Sequence, residues 1–157
     1  MESDTSEYQS SGQEGQPEVR LSNTEKAAVI KMEFNRWNNV KINLELHGRQ
    51  PNPSQGEIWW AGVGKNLGAE IYGKSNRFAR PVLIYKKLSR HNFMGIPLTS
   101  KEHEGSWYIS FCHNGKKETA MLHQARVMSM KRLYRGIGEI DDADYERIRA
   151  GFAELYC

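Results

Sequence analysis

From Ile58 to Met128 the chain is cut into short β-prone runs by turn residues, and this punctuation limits the fold more than any other feature. Ile58-Trp59-Trp60-Ala61-Gly62-Val63, Val82-Leu83-Ile84-Tyr85, Met94 to Leu98 and Ser106-Trp107-Tyr108-Ile109-Ser110-Phe111 are short and rich in branched and aromatic side chains. His113-Asn114-Gly115-Lys116 supplies an Asn-Gly turn, the strongest short-range hairpin signal, with a returning strand from Ala120 to Met128. Short strands at such spacing predict a small antiparallel barrel or sandwich.

Helical patterns flank this region. Asn23 or Thr24 is expected to cap a helix from Glu25 to about Leu46, with Ile30, Phe34, Trp37 and Leu44 on its buried stripe. Gly48 stops it, and Gln50-Pro51-Asn52-Pro53 reads as a linker. At the other end Asp141 is a plausible cap for a helix burying Tyr145, Ile148, Phe152 and Leu155. The class is α+β.

The chain has 157 residues, enough for one domain and an added element. Residues 1–22 are Ser-, Glu-, Gln- and Gly-rich and are expected to be disordered. Residues 23–53 form a helical extension and linker, and 54–157 the main domain. The 38% hydrophobic and 26% charged content fits a soluble globular protein, and a net charge of +3 permits a nucleic-acid partner without requiring one. The two cysteines, Cys112 and Cys157, form no spaced framework, and no Cys/His cluster has zinc spacing, so no metal is expected. With no secretory signal and no apolar run near the ~20 residues that span a bilayer, a cytoplasmic protein without a membrane partner is expected.

Several enzyme classes are excluded. There is no P-loop, nucleophile elbow, zincin helix or dinucleotide fingerprint. Taken singly, Arg80 at the mouth of one strand and Thr99-Ser100 at the end of another are ordinary strand-edge residues. Four of the five histidines fall in loops or turns, while His123 lies within the returning strand, beside Gln124 and Arg126.

Taken in order, however, these pieces resemble the MazF/PemK family, toxins of bacterial type II toxin–antitoxin modules. Gly56-Glu57-Ile58-Trp59-Trp60 looks like the family's opening strand, and Asn66-Leu67-Gly68-Ala69-Glu70 resembles its G-x-E segment. Arg80-Pro81-Val82-Leu83-Ile84 and Ile96-Pro97-Leu98-Thr99-Ser100 match its R-P and P-h-T-[ST] strands. Gln124-Ala125-Arg126, Lys131-Arg132-Leu133 and Ile137-Gly138 match its ending before the last helix. The N-terminal helix resembles an extension found in a longer subgroup. Between Gly73 and Arg80 this chain carries six residues where short members pass almost directly from Gly to Arg-Pro.

The resemblance implies a compact SH3-like, CcdB/PemK-like β-barrel with a terminal helix, working as a homodimer and restrained by a cognate antitoxin. Most members cut single-stranded RNA, including mRNA, without a metal or other cofactor. The 2′-hydroxyl attacks its own phosphodiester, leaving a 2′,3′-cyclic phosphate and a 5′-hydroxyl. Carried over, Arg80 lies beside the scissile phosphate and Thr99 donates a hydroxyl hydrogen bond to it. A guanidinium is the best-shaped bidentate donor to the oxygens of a phosphorane, and it cannot lose its proton. The general base is left between His123, which stands where relatives often carry Asp or Glu, and Glu70 of the G-x-E segment. Lys65, Lys74, Arg77, Lys86 and Lys87 are candidate RNA-backbone contacts, Ser100 and Gln124 further RNA contacts, and Phe78 with Trp59 and Trp60 candidate stacking surfaces. Two alternatives of the same fold are a poison of a protein target such as DNA gyrase and a non-catalytic nucleic-acid-binding module.

Overall fold

A computed structural model describes residues 20–157. The tail expected to be disordered lies, up to residue 19, outside the described residues. The first helix, α1, spans Asn23–His47 and is capped by Ser22, one residue before the expected caps. Ser22 Oγ accepts from the Glu25 N–H at 3.2 Å, and Glu25 Oε2 accepts from the Ser22 N–H at 2.7 Å. This reciprocal pair is a capping box, and Ser22-Asn23-Thr24-Glu25 carries its sequence signature. Trp37 is buried and Leu44 half-buried, but Ile30, expected on the same stripe, is 51% exposed, like every other residue of the helix before Glu33.

Seven strands follow: β1 (Glu57–Gly62), β2 (Ala79–Lys87), β3 (Asn92–Thr99), β4 (Tyr108–His113), β5 (Lys116–Met121), β6 (Arg126–Ser129) and β7 (Leu133–Glu139). The sheet runs β4-β5-β3-β2-β1-β7, with β6 added to β3. Strand β3 serves two partners, pairing β6 through Asn92–Gly95 and β5 through Leu98 and Thr99. The Asn114-Gly115 turn has both residues at positive φ, 50° and 71°, as the hairpin signal requires. The single returning strand expected from Ala120 to Met128 is instead broken by a 3₁₀ turn at Leu122–Gln124, so His123 lies in that turn rather than in a strand. A second such turn, Met130–Arg132, leads into β7, which sequence patterning did not predict.

The expected small antiparallel fold with flanking helices is what forms, although it is not a closed barrel. Strands β4 and β7 end the path and share no ladder. The hairpin tip spans that seam, where Asn114 Nδ2 donates to the Ile137 carbonyl at 3.1 Å. Successive residues of β2 feed opposite faces. Leu83 joins Ile58, Ile96, Leu98 and Leu122 beneath the second helix, α2 (Asp142–Tyr156), whose Ile148 is buried among them. Val82 and Ile84 pack with Val63, Phe93, Met128 and Leu133 in the other cluster. Both faces are thereby covered, which explains the unbroken apolar run from Val82 to Ile84.

Candidate functional site

Arg80 is the second residue of β2, paired with Ala61 of β1, and only 8% of its surface is exposed. Its Nε donates to the Tyr72 carbonyl at 2.9 Å and its Nη1 to the Leu98 carbonyl at 3.1 Å. Among the described residues no carboxylate pairs with it. Burial lowers its pKa, but from a starting point so high that the guanidinium remains charged. A buried cation without a counter-charge is costly, and an arriving anion relieves that cost.

Thr99 closes β3 opposite Thr119 of β5 and is equally buried. Its Oγ1 accepts from the Lys101 N–H at 3.3 Å, which holds the hydroxyl oxygen and leaves its hydrogen free to donate outward. Thr119, by contrast, is engaged inside the fold with Ser110 Oγ at 2.9 Å.

Arg80 and Thr99 open into one cleft of about 520 Å³ along the seam between β4 and β7. Strand β2 contributes Arg80 and Pro81, and the end of β3 contributes Leu98, Thr99 and Ser100. Trp60 comes from β1, Arg135 and Ile137 from β7, and Lys74 from the loop before β2. The remaining wall is the β4–β5 hairpin, with His113, Asn114, Lys116 and Glu118. Four cations, Lys74, Arg80, Lys116 and Arg135, thus face a single carboxylate and a single imidazole.

Of the residues singled out from sequence, Arg80, Thr99, Ser100, Lys74 and Trp60 meet in this cleft; the others take different positions. Glu70 Oε2 accepts from the Leu67 N–H at 3.1 Å, closing a turn in an exposed loop. The His123 ring packs against Trp107 and Tyr108, at centroid distances of 5.2 and 5.1 Å, and burial lowers its pKa. Gln124 staples the loop before β2, accepting from the Ile71 N–H at 3.0 Å and donating to the Ala69 carbonyl at 3.1 Å. Lys65 is paired with Glu33 of α1 at 2.7 Å, and Arg77 lies 5.0 Å over the Tyr134 ring. Trp59 donates to Glu57 at 2.7 Å. Phe78 is buried against Trp37. Lys86 and Lys87 occupy the far end of β2, roughly 20 Å from Arg80 at ~3.3 Å per residue, and Lys87 bonds Asn52.

Sequence reading missed Glu118, His113, Lys116 and Arg135. Desolvation raises the Glu118 pKa above the ordinary glutamate value, while His113 and Lys116 pull it back. A signal for three of them was present: counting outward from the Asn-Gly turn pairs His113 with Lys116 and sets Glu118 two residues further along. Arg135 could not have been found so, because its strand was not predicted.

The sequence profile described as PemK-like, MazF-like toxin of type II toxin-antitoxin systems matches residues 54–156. The chain belongs to the PemK/MazF toxin family. MazF from Deinococcus radiodurans superposes with a TM-score of 0.54 at 16% identity, covering 66% of this chain and 94% of that one. An endoribonuclease from a mycobacterial species gives 0.52 at 14% identity, covering 67% and 91%. A mycobacterial endoribonuclease in complex with its cognate antitoxin gives 0.50 at 16%, covering 66% and 93%. At these identities the likeness is one of fold. Comparison with curated protein sequences yields no match. The PemK/MazF match contains the whole cleft, whereas α1 lies outside it.

Proposed function

We propose that this toxin is an endoribonuclease that cuts single-stranded RNA, mRNA among its substrates, by attack of a 2′-hydroxyl on the adjacent phosphorus. The products are a 2′,3′-cyclic phosphate and a 5′-hydroxyl. The observation that carries this reading is the buried Arg80 guanidinium, held by two carbonyls and opening, without a carboxylate partner, into a cleft shared with Thr99. Arg80 contacts the non-bridging oxygens with its remaining N–H groups, and Thr99 adds a directed hydroxyl. Lys74, Lys116 and Arg135 hold neighbouring phosphates, and Trp60 offers a ring face to a splayed base.

The enzyme works without a metal ion. Arg80 supplies the charge a metal would otherwise bring. It acts in the cytoplasm as a homodimer, and a cognate antitoxin with an acidic segment restrains it by covering the cationic cleft. No helix among the described residues is long and apolar enough to cross a membrane.

Mapping the ends left on a long single-stranded RNA, with and without EDTA, tests the reading. Cyclic phosphate ends in both conditions are expected. Cleavage abolished by EDTA and restored by magnesium overturns the metal-free chemistry. Intact RNA that is nonetheless bound points to a binding module, and RNA neither bound nor cut points to a poison of a protein target.

A further inference from the structure

We propose that Glu118 is the base that takes the proton from the attacking 2′-hydroxyl, and that His113 across the hairpin returns a proton to the leaving 5′ oxygen. The inference rests on the nuclease reading above and adds the proton transfers that reading lacks.

Its geometry begins with register. Leu98 pairs with Ala120 and Thr99 with Thr119, so the next position along β5, Glu118, comes level with Ser100 just past the end of β3. Side chains alternate across a strand, so Glu118 lies on the face of β5 that carries Ala120, opposite to Thr119 and its partner Thr99, and it lines the cleft from that side. It is the one carboxylate among the lining residues. A lone carboxylate in a cleft built for an anionic substrate weakens binding, which leaves proton abstraction as its use.

His113 is seated with equal definition. Its Nε2 is buried without a hydrogen-bond partner and packs over Gly138, where a Cβ would come within 2.4 Å of it, so the ring is pinned on that side and Nδ1 is the nitrogen left to meet the substrate. The hairpin carrying both groups is fastened across the seam by Asn114 to the Ile137 carbonyl. The groups facing Glu118 are His113 and Lys116 from the hairpin, Arg80 from β2, Lys74 from the preceding loop and Arg135 from β7. Burial outweighs the pull of His113 and Lys116 and raises the carboxyl's pKa, which strengthens it as a base.

In the step itself the 2′ oxygen bonds to phosphorus as its proton passes to the Glu118 carboxylate. The bond from phosphorus to the 5′ oxygen breaks as His113, entering as the imidazolium, protonates that oxygen, so Glu118 ends as the acid and His113 as the neutral imidazole. Atoms and charge balance without an added reactant.

The test uses the purified full chain with a short RNA and with uridine 3′-(p-nitrophenyl phosphate), whose leaving group needs no proton. E118Q should lower kcat on both substrates by about 10²- to 10⁴-fold, leave KM equal or lower, and remove the acidic limb of the pH profile. H113N should be slow on RNA but near parental on the activated ester. Circular dichroism should be unchanged in both, and binding of an uncleavable 2′-deoxy RNA should be unchanged in H113N and equal or tighter in E118Q. If E118Q keeps parental kcat, or if H123Q rather than E118Q removes the acidic limb, the assignment is overturned. If E118Q is active while R80A is dead, the nuclease reading survives that failure. A parent chain that cleaves neither substrate overturns both.

Discussion

The Arg80 guanidinium donates to the Leu98 carbonyl at 3.1 Å, tying the charged start of one strand to the residue before Thr99 on its neighbour. The two groups proposed to grip the phosphate therefore move as one unit. Arg80→Lys retains the charge but cannot span the Tyr72 and Leu98 carbonyls with one ammonium and still present a fork to phosphate. RNA cleavage should fall at least ~10²-fold while far-UV circular dichroism stays parental. Parental cleavage rates for this variant would remove Arg80 from the site.

Thr99→Val keeps the shape and deletes the hydroxyl. A preorganised donor is worth about 10²–10³ in rate, so single-turnover cleavage should drop by that factor with RNA affinity little changed. A loss confined to affinity would make Thr99 a binding residue only.

Glu118 gives a pH signature in stability as well as in rate. Its pKa is higher in the fold than in the unfolded chain, so folding takes up a proton as the group titrates. That contribution is fully present below the ordinary glutamate value and is lost as pH rises through the raised folded value. Relative to E118Q, the parent should therefore melt higher in acid and lose that advantage toward neutrality, in paired thermal scans across the carboxylate range. A difference that is flat with pH would show that Glu118 is solvated like a surface residue.

Lys74 and Lys86 separate the cleft from the far end of β2. For single strands each neutralised phosphate contributes ~0.7 to the slope of log affinity against log salt. Lys74→Ala should reduce that slope by about this amount with uncleavable RNA, whereas Lys86→Ala should leave it unchanged. Equal effects would mean that RNA runs the full length of the strand.

Trp37 anchors α1 on the loop that holds Arg80. It packs against Phe78 with the ring centroids 5.6 Å apart, and Arg36 bonds Asn76, so the helix outside the family match seats on the lengthened loop before Arg80. Gly64, at φ +104°, leaves room where a Cβ would meet the indole at 2.5 Å. Trp37→Ala should destabilise this region by about 3 kcal/mol. Faster amide exchange at Gly73 and Val63, which bond to the Gly64 and Phe78 carbonyls, should report it, together with slower cleavage. Unchanged exchange there would mean that the loop holds itself.

What was legible in the sequence followed physical strength of signal. The Asn-Gly hairpin, the strand carrying Val82 to Ile84 and the C-terminal helix were readable because turn chemistry and burial on both faces leave strong patterns. Strand β7 was not, since Leu133-Tyr134-Arg135-Gly136-Ile137-Gly138-Glu139 carries two glycines, and its strand character comes from pairing with β1. The break at Leu122–Gln124 was hidden in the same way, because that turn is fixed by tertiary contacts such as the Leu122 N–H to the Trp107 carbonyl at 2.9 Å. Arg80 and Thr99 were singled out through an ordered motif, whereas Glu118 and His113 come into the cleft through the seam they close, which appears only once the strands are assembled.

The seat of α1 also sets an order of assembly. The helix is synthesised first, yet two residues that fasten it come from the turn before β7: Lys131 donates to the Glu45 carbonyl at 2.9 Å across 86 residues, and Arg132 lies 5.5 Å over the Trp37 ring. Contacts so distant in the chain carry a loop-closure cost and form late. On a ribosome, Arg80 leaves the exit tunnel well before the brace behind its loop can close. If the chain cuts mRNA as proposed, a nascent copy is unarmed until the turn before β7 has emerged, and the message still threaded through that ribosome is spared until then.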